Sequence, residues 1–369
     1  MQLLFYISGH GYGHATRTSE ILRALAQQQS SCGFQVRSNV PDRLFAGIDR
    51  TSFHQLSESL DPGVVEDADS LSIDVPATLK AIECFYDRRA AMVADEAAWA
   101  RSHEISLIVA DFPPLAGEIA VACGISCIGI GNFTWDWIYQ PLFERDHRHL
   151  QDWLRDGYRQ MSCWLKLPFS HEANRELFPQ VLDVPLVARR PRRTAAEVLK
   201  QLAIDPADRR PRVLLAMRGR IPPKARATAA QANPDMLFLH FEAEVAGQSN
   251  ELAVTLGPDL AFPDVLNVCD AVVSKFGYGI VSECIAARKR LLCPPRLNFR
   301  EDEIFVREAP RQLRLATISQ ADFRAGRWSP PLRRLLDQPI VEPTLPTDGA
   351  EACAREIGRW ISYAKESHA

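Results

Sequence analysis

The amino-acid sequence predicts an α/β fold in which two doubly wound domains face each other across a cleft. Two series of short apolar runs, separated by helical patterns, support this prediction, one in each half of the 369-residue chain. A charged, proline-bearing stretch over residues 186–210 separates the two series. Apolar strands that alternate with helices are typical of a parallel sheet covered on both faces. Two domains of ordinary size can each bury a core at this chain length.

The predicted elements alternate along both halves of the chain. In the first half we expect strands over residues 3–7, 34–38, 107–110 and 127–130, and helices over 15–29, 76–103 and 115–123. In the second half we expect strands over residues 212–217, 236–241, 271–274 and 291–293, with a helix over 280–287. These elements define predicted domains over residues 1–190 and 208–346. A last helix over 347–369 is expected to pack back on the first domain.

Composition restricts the classes of function. The net charge of −3 and the pI of about 6.3 do not suggest a nucleic-acid-binding surface. The short basic run 189–193 is interrupted by Pro191 and is expected to be a solvated linker. Nine scattered cysteines, an odd number, are typical of reduced thiols in a cytoplasm. The N-terminus resembles a buried first strand rather than a signal peptide, and no apolar stretch is long enough to cross a bilayer.

The segment after the first predicted strand is the most informative one. Glycines alternate there with two histidines and a tyrosine, in the order Gly9, His10, Gly11, Tyr12, Gly13 and His14. A strand, a glycine turn and a helix N-terminus form an anion-binding corner, because bare amides and the helix dipole point at one spot. The imidazoles add a proton acceptor. Arg17, one turn into the helix, is either a cation for phosphate or carboxylate, or a solvated side chain.

Two alternatives to this interpretation of the glycine segment remain. The glycines could serve only a tight turn, with the histidines packed or solvated. The spacing is not that of the dinucleotide fingerprint G-x-G-x-x-G, and no acidic residue is obvious near the end of the next strand. A nicotinamide-dependent enzyme is therefore less favoured than a phosphate site with a base.

A second glycine-bearing segment, SKFGYGIVSE over residues 274–283, follows a strand and precedes a helix. Gly277 and Gly279 allow a ligand to approach the backbone closely. Ser282 and Glu283 fall in the first turns of the helix. Glu283 could cap the helix, or it could accept hydrogen bonds from a ribose diol while the loop amides bind phosphates.

Three further segments are candidates for ligand contacts. The aromatic segment 131–141 follows a strand and contains Asn132, Trp135, Asp136 and Trp137; it would either bind a sugar or make an apolar interdomain contact. Acidic residues over 296–305 follow a strand of the second domain. The acidic loop 61–74 could belong to an acceptor site or to the surface. Asp111 also ends a strand, which alone is a weak signal.

Five motifs together resemble the N-terminal half of plant L-arabinokinase and its stand-alone bacterial relatives over most of the chain. The motifs are SGHGYGHATR, VADFPPLAGEIAVACGI, NFTWDWIY, DVPLVARR and SKFGYGIVSE. The resemblance implies a GT-B glycosyltransferase-like fold with an acceptor-side domain followed by a nucleotide-sugar-binding domain. Arabinose phosphorylation belongs to a separate kinase domain of that protein and is not expected from these motifs.

The chain is also similar, more distantly, to the peptidoglycan N-acetylglucosaminyltransferase group. That similarity implies that His14 is the base candidate and that Gly277, Ser282 and Glu283 bind the nucleotide. It further implies that an acidic pair near Glu301 and Asp302 holds the donor sugar. The group's glycine pair after the first strand of the second domain is replaced here, and the replacing residues are Met217, Arg218, Gly219 and Arg220. Arg218 or Arg220 could contact the diphosphate instead.

The sequence thus predicts a metal-independent, inverting glycosyltransferase that uses a nucleotide sugar, UDP-linked by preference, with no other cofactor. His14, at the start of a helix that favours neutral imidazole, is the predicted base, with Asp111 and Asp136 as further catalytic candidates. The predicted donor-site residues are Gly11, Gly13, Arg218, Gly219, Phe276, Gly277, Tyr278, Gly279, Ser282, Glu283, Glu301 and Asp302. The predicted acceptor-site residues are His10, Arg17, Asn132, Trp135 and Trp137. Two alternatives stay open, namely a nucleotide-sugar 2-epimerase or hydrolase of the same fold, and a non-catalytic sugar- or nucleotide-binding module.

Overall fold

Parallel sheets flanked by helices form both halves of the computed structural model, which describes residues 1–217, 220–242 and 248–366. The chain divides into two units. Unit 1 comprises Met1–Val65, Asp74–Ala188 and Pro346–Ala369, and unit 2 comprises Glu66–Ile73 and Arg189–Leu345. Among the helices within the described ranges, none has both the length and the apolar character needed to cross a membrane.

Unit 1 contains a seven-stranded sheet in the order β3-β2-β1-β4-β5-β6-β7. Its strands are β1 (Gln2–Ile7), β2 (Gly33–Ser38), β3 (Thr51–Gln55), β4 (Ile105–Asp111), β5 (Ser126–Gly131), β6 (Cys163–Lys166) and β7 (Val181–Asp183). Its first helices are α1 (Gly13–Gln28), α2 (Val75–Ser102), α3 (Leu115–Cys123), α4 (Trp135–Tyr139) and α5 (Arg148–Arg159). Short 3₁₀ turns cover Asp42–Phe45, Gln140–Leu142, Arg145–His147 and Arg175–Leu177.

The strand order of unit 1 determines where its loops meet. Strands β1 and β4 are neighbours, although two strands and two helices separate them in the chain, and they pair in parallel with Ile7 opposite Asp111. The chain winds in opposite directions from this point, so the loops that follow β1 and β4 diverge and leave a crevice. Ligands of open α/β sheets bind at such a switch point, outside the carboxyl ends of the strands.

Unit 2 contains a six-stranded sheet in the order β10-β9-β8-β11-β12-β13. Its strands are β8 (Arg212–Leu215), β9 (Leu237–His240), β10 (Glu251–Ala253), β11 (Ala271–Val273), β12 (Arg290–Cys293) and β13 (Leu315–Thr317). Its helices are α6 (Ala195–Gln201), α7 (Pro223–Gln231), α8 (Phe262–Asn267), α9 (Tyr278–Ala286), α10 (Arg300–Glu308), α11 (Gln320–Arg324) and α12 (Ser329–Asp337), with a 3₁₀ turn over Ala309–Arg311. All pairings are parallel, and the switch point lies between β8 and β11.

The last helix, α13 (Gly349–Glu366), belongs to unit 1 and packs along α1. Just before this helix, the carbonyl of Pro346 accepts a backbone hydrogen bond of 2.9 Å from the Leu186 N–H. Cys353 and Ile357 on α13 are fully buried. The burial of this apolar face is what holds the end of the chain on unit 1.

Residues Glu66–Ile73 form an acidic strap that belongs to unit 2, although they were predicted to lie in the first domain. Leu71 is fully buried in the unit 2 core, in the same cluster as Phe238 and Trp328. The Leu71 carbonyl accepts a hydrogen bond of 2.9 Å from Leu297 N–H. The prediction differed because one leucine in an acidic loop gives no periodic signal, and its partners are distant in the sequence.

Candidate functional site

The turn after β1 leads directly into α1 at the switch point of unit 1. Helix α1 begins at Gly13, with Tyr12 as its N-cap residue, and neither a side-chain cap nor an acidic residue occupies its first turn. Its first amides are therefore available to an anion, as the glycine pattern predicts. His14 is the second residue of the helix, so its imidazole lies at the same end of the sheet as the end of β4.

His14 is hydrogen-bonded to Asp111, the last residue of β4. The Nδ1 atom of His14 lies 2.8 Å from Oδ1 of Asp111. Nδ1 also lies 3.0 Å from Nη2 of Arg17. We assign the proton of the neutral ring to Nδ1, because the ionised carboxylate only accepts hydrogen bonds, and this leaves Nε2 as the proton-accepting nitrogen. No hydrogen bond to Nε2 occurs within the described residues, and the side chain is 12% exposed. The pair thus has the geometry of a carboxylate-oriented base.

Arg17 and Thr18 keep Asp111 ionised. The Arg17 Nε donates to Asp111 Oδ2 at 2.8 Å, a second guanidinium nitrogen donates to Oδ1, and the Thr18 hydroxyl donates to Oδ2 at 2.6 Å. Burial would raise the pKa of Asp111, but Arg17 and then His14 outweigh it and lower the pKa to about 2. The carboxylate is therefore charged at neutral pH.

The predicted acceptor residues Arg17 and Asn132 lie behind this pair. Arg17 is buried, and its Nη1 donates to the side-chain oxygen of Asn132 at 3.0 Å. Asn132 is buried as well. Arg17 therefore binds the carboxylate of Asp111. This geometry suits a side chain that holds Asp111 rather than one that contacts an acceptor.

A second imidazole–carboxylate pair lies on the same turn. The Nε2 atom of His10 is 2.7 Å from Oδ1 of Asp61, whose side chain is fully buried. Ser59 and Trp135 also donate to this carboxylate, each at 2.8 Å. The sequence could not assign Asp61 a role, because an aspartate in an acidic loop shows the same local pattern whether it is buried or solvated.

The aromatic segment 131–141 was expected to be a loop that contacts a ligand; the loop assignment is wrong, and the ligand contact stays a prediction. Residues 135–139 form α4, and Trp135, Asp136 and Trp137 are all buried in unit 1. Trp137 stacks on His171 with ring centroids 4.4 Å apart. The Asn174 amide donates to Asp136 at 2.8 Å, and burial raises the pKa of Asp136. This geometry supports a structural role for Asp136 and Trp137, because neither side chain is accessible.

In unit 2, the segment 274–283 follows β11 at the switch point. Helix α9 starts at Tyr278 with Gly277 as its N-cap residue, and no side chain caps it. A Cβ atom added to Gly277 would meet no described atom within 4 Å, so the space beside the helix N-terminus is open. The amides of this terminus favour an anion. Gly279 lies in the first turn, where its carbonyl accepts from the Ser282 hydroxyl at 3.0 Å.

The aromatic residues of this segment face inward. Phe276 and Tyr278 are buried, and Phe276 stacks on Phe305 with ring centroids 5.8 Å apart. Lys275 lies just before this terminus. Its Nζ donates to both carboxylate oxygens of Glu66 on the acidic strap, at 2.8 and 2.9 Å. The sequence alone does not indicate a role for Lys275, since its partner Glu66 lies 209 positions away.

Glu283 is buried and forms an ion pair with Arg189, whose Nε lies 2.5 Å from Oε1. Arg189 also lies over the ring of Phe262. The basic run 189–193 was predicted to be a solvated linker, and this is only partly correct: residues 190–192 are exposed, but Arg189 and Arg193 form ion pairs within unit 2. The amides of Arg192 and Arg193 donate to Asp264 at 2.6 and 3.0 Å.

The acidic pair Glu301 and Asp302 lies at the start of α10 and is held by Arg296. Arg296 contacts Glu301 at 3.1 Å and Asp302 at 2.9 Å through Nε, while its amide donates to the other Asp302 oxygen at 2.7 Å. Both carboxylates are buried. Arg218 and Gly219 lie outside the described residues. Arg220 donates to the carbonyl of Ala68 on the acidic strap at 2.8 Å.

One curated protein resembles the whole chain in sequence. L-arabinokinase of Arabidopsis thaliana is 30% identical over 382 residues, and the match covers 99% of this chain. It covers 35% of the arabinokinase, so the chain spans about a third of the length of that relative. No known protein-family profile matches the chain. The resemblance predicted from the five motifs is confirmed, and the wider similarity to the peptidoglycan group stays a prediction.

Solved glycosyltransferase structures resemble the whole chain in fold. The glycosyltransferase VinC in complex with dTDP matches with a TM-score of 0.61 at 19% identity, over 99% of this chain and 100% of that one. The calicheamicin glycosyltransferase CalG4 matches with a TM-score of 0.59 at 15% identity, over 98% of this chain and 94% of that one. Phytolacca americana UGT2, complexed with UDP-2-fluoro-glucose and pterostilbene, matches with a TM-score of 0.61 at 12% identity, over 99% of this chain and 94% of that one.

These likenesses, together with the two parallel sheets, define the fold class. The chain has the α/β GT-B fold, which it shares with these solved glycosyltransferases. Within that class, its sequence resembles a segment of plant L-arabinokinase.

Proposed function

We propose that this protein is a glycosyltransferase that moves a hexosyl or pentosyl group from a nucleotide sugar to an acceptor hydroxyl. The observation that carries the proposal is the His14–Asp111 pair at the switch point of unit 1. Fold neighbours that bind dTDP or a UDP-sugar support a nucleotide-sugar donor. UDP is the nucleotide we propose to test first.

The proposed reaction is a single displacement at the anomeric carbon. The Nε2 atom of His14 accepts the proton of the acceptor hydroxyl while the hydroxyl oxygen bonds to the anomeric carbon. The bond from that carbon to the diphosphate oxygen breaks, and the nucleoside diphosphate leaves with the electron pair, so the anomeric configuration inverts. A positioned base contributes roughly two to four decades of rate.

Asp111 is the positioning residue of the proposed mechanism. Its charge holds His14 in the tautomer with Nε2 as the proton acceptor, and it stabilises the imidazolium that forms. Arg17, buried beneath it, keeps this charge in place. The proton thus stays on His14 until solvent removes it, since an aspartate with a pKa of about 2 is a poor proton acceptor at neutral pH.

Unit 2 supplies the proposed donor site. The α9 N-terminus, with Gly277 before it and Gly279 in its first turn, would bind the diphosphate and stabilise the charge of the leaving group. Glu283 would bind the ribose diol through Oε2, which has no hydrogen bond within the described residues, while Arg189 holds Oε1. This arrangement needs no metal ion in principle.

The proposed cellular setting is the cytoplasm. All nine cysteines are free thiols, and seven of them are buried. Burial raises the pKa of the Cys163 thiol to about 12 and that of the Cys269 thiol likewise, so these groups are unreactive packing side chains. A protein with this many unpaired thiols suits a reducing compartment.

Two other activities remain alternatives, and one experiment separates all three. The pure protein is incubated with UDP-glucose, UDP-galactose, UDP-N-acetylglucosamine and dTDP-glucose, and released nucleotide is measured with and without a mixture of hydroxylated acceptors. Acceptor-dependent release supports transfer, release without acceptor supports an epimerase or hydrolase, and binding without release supports a sugar-binding module. The variant His14→Gln should abolish release, whereas His149→Gln, on the exposed face of α5, should not.

A further inference from the structure

The ion pair between Lys275 and Glu66 joins the acidic strap to the segment that leads into α9. Lys275 lies two residues after the end of β11 and two residues before Gly277, the N-cap residue of α9. Its Nζ donates to both carboxylate oxygens of Glu66, and the two side chains are 30% and 24% exposed. The pair is therefore accessible to solvent beside the helix terminus that is proposed to bind the diphosphate.

Glu66 makes the charge of its surroundings negative. Arg296 lies 3.9 Å from Oε1 of Glu66, and the same guanidinium pairs with Glu301 and Asp302. These five side chains, two cations and three carboxylates, carry one net negative charge when all are ionised. Burial would raise the pKa of Glu66, but Lys275 outweighs it and lowers the pKa, so Glu66 is charged at neutral pH. Without Glu66 the same group of side chains would be neutral, and a negative ligand would meet less repulsion.

The position of the strap does not depend on Glu66. Leu71 is buried in the core of unit 2, and its carbonyl accepts a hydrogen bond of 2.6 Å from the side chain of Gln320. Asp69 pairs with Arg324 at 2.5 Å. These contacts hold the strap at positions beyond Glu66. The Glu66 carboxylate can therefore leave Lys275 by a change of rotamer, while the strap stays in place.

We propose that Glu66 is a competitor of the donor within the chain itself. The diphosphate of the donor displaces Glu66 from Lys275, and Glu66 returns to Lys275 when the nucleoside diphosphate leaves. A diphosphate carries more negative charge than a carboxylate and offers more acceptor oxygens to the three donors of an ammonium group. No covalent bond changes in this exchange. The inference rests on the proposed function, because it concerns the regulation of the proposed donor site.

A double-mutant cycle in UDP affinity tests the exchange. The full-length parent protein, Glu66→Gln, Lys275→Met and the double variant are titrated with UDP by calorimetry at about 0.15 M salt. Glu66→Gln should bind UDP roughly threefold to tenfold more tightly, because Lys275 no longer has a competing carboxylate. Lys275→Met should weaken UDP binding roughly tenfold to a hundredfold. The double variant should bind UDP as Lys275→Met does, because Glu66 acts through Lys275.

Two controls separate the exchange from general effects of charge and folding. Asp69→Asn removes a charge from the same strap but from a different ion pair, so it should leave UDP affinity unaltered. Uridine has no phosphate, so its affinity should be the same in every variant that keeps a folded nucleotide site.

The failure of this inference and the failure of the proposed donor site are distinguishable. If UDP binds the parent protein, the exchange is overturned by unchanged or weaker UDP binding in Glu66→Gln, or by an equal gain from Glu66→Gln in the Lys275→Met background. If UDP binds neither the parent protein nor Glu66→Gln, the proposed donor site fails, and inorganic pyrophosphate is titrated instead. Tighter pyrophosphate binding in Glu66→Gln than in the parent protein then supports the exchange, and unaltered binding overturns it.

Discussion

Replacement of Asp111 by asparagine tests the architecture of the predicted base. Four donors point at this carboxylate, namely two nitrogens of Arg17, the hydroxyl of Thr18 and Nδ1 of His14. An amide has one oxygen to accept with, and its NH₂ group is a donor. The Arg17 guanidinium is the strongest of these donors, so it keeps the amide oxygen as its acceptor. The amide NH₂ group then faces His14, and Nδ1 of His14 must accept a hydrogen bond from it.

Two consequences of Asp111→Asn can be measured separately. The proton of His14 moves to Nε2, which removes the base, so kcat for sugar transfer should fall roughly 10²- to 10⁴-fold. Arg17 loses its buried counter-ion, so the free energy of unfolding should fall by about 3 kcal/mol, the lower end expected for a broken buried pair, because Asn132 still accepts from it. UDP affinity should not change, because the proposed nucleotide site lies in unit 2.

The assays for Asp111→Asn are steady-state transfer, urea unfolding and UDP calorimetry. Asp156→Asn is the matched control, because Asp156 pairs with Arg159 on the exposed surface of α5. This substitution should change kcat, the free energy of unfolding and UDP affinity little. Near-normal kcat in a folded Asp111→Asn variant would refute the tautomer argument. An unfolding free energy unchanged from that of the parent protein would refute the buried ion pair.

Three further predictions concern the nucleotide site, the acidic strap and acid stability. Glu283→Ala should weaken UDP binding by about 1.5–3 kcal/mol by calorimetry, and unchanged affinity would move the nucleotide elsewhere. Leu71→Ala should lower the free energy of unfolding by about 2–5 kcal/mol, whereas Leu297→Ala, an exposed neighbour, should change it by less than about 0.5 kcal/mol; equal effects would contradict the packing of the strap. Asp61 and Asp111 have pKa values of about 2 in the folded state against an ordinary 3.8, so each stabilises the fold above pH 4 by about 2 kcal/mol and loses this as the pH falls through 2. A free energy of unfolding that stays flat between pH 5 and 2 would contradict both.

The sequence predicted the elements whose signals are local. The strands β1, β4 and β5 coincide with apolar runs, because strands inside a covered parallel sheet are apolar on both faces. The strand β2 was recognised although it buries only alternate residues. The helix starts at Gly13 and Tyr278 were predicted to within two residues, since a glycine turn after a strand marks a helix N-terminus. The strand β3 was missed because it is polar and shows no apolar run, and β6, β7, β10 and β13 were missed as well.

The partners of the candidate residues could not be predicted, because each pair joins distant parts of the chain. Asp61 meets His10 across 51 positions, and Arg189 meets Glu283 across 94. A carboxylate or an arginine in a charged run gives the same local pattern whether it is solvated or paired. Burial of Trp137 depends likewise on His171, which lies beyond α5 in the chain. Only packing of the sheet brings such residues together.

The central claim, that His14 is the base of a sugar transfer, is tested most directly by His14→Ala. Steady-state transfer from a UDP-sugar and UDP affinity by calorimetry are measured on the same folded sample. The structure predicts a loss of at least about a hundredfold in turnover with UDP affinity retained, because His14 lies in unit 1 and the proposed nucleotide site in unit 2. Near-normal turnover in His14→Ala would contradict the claim.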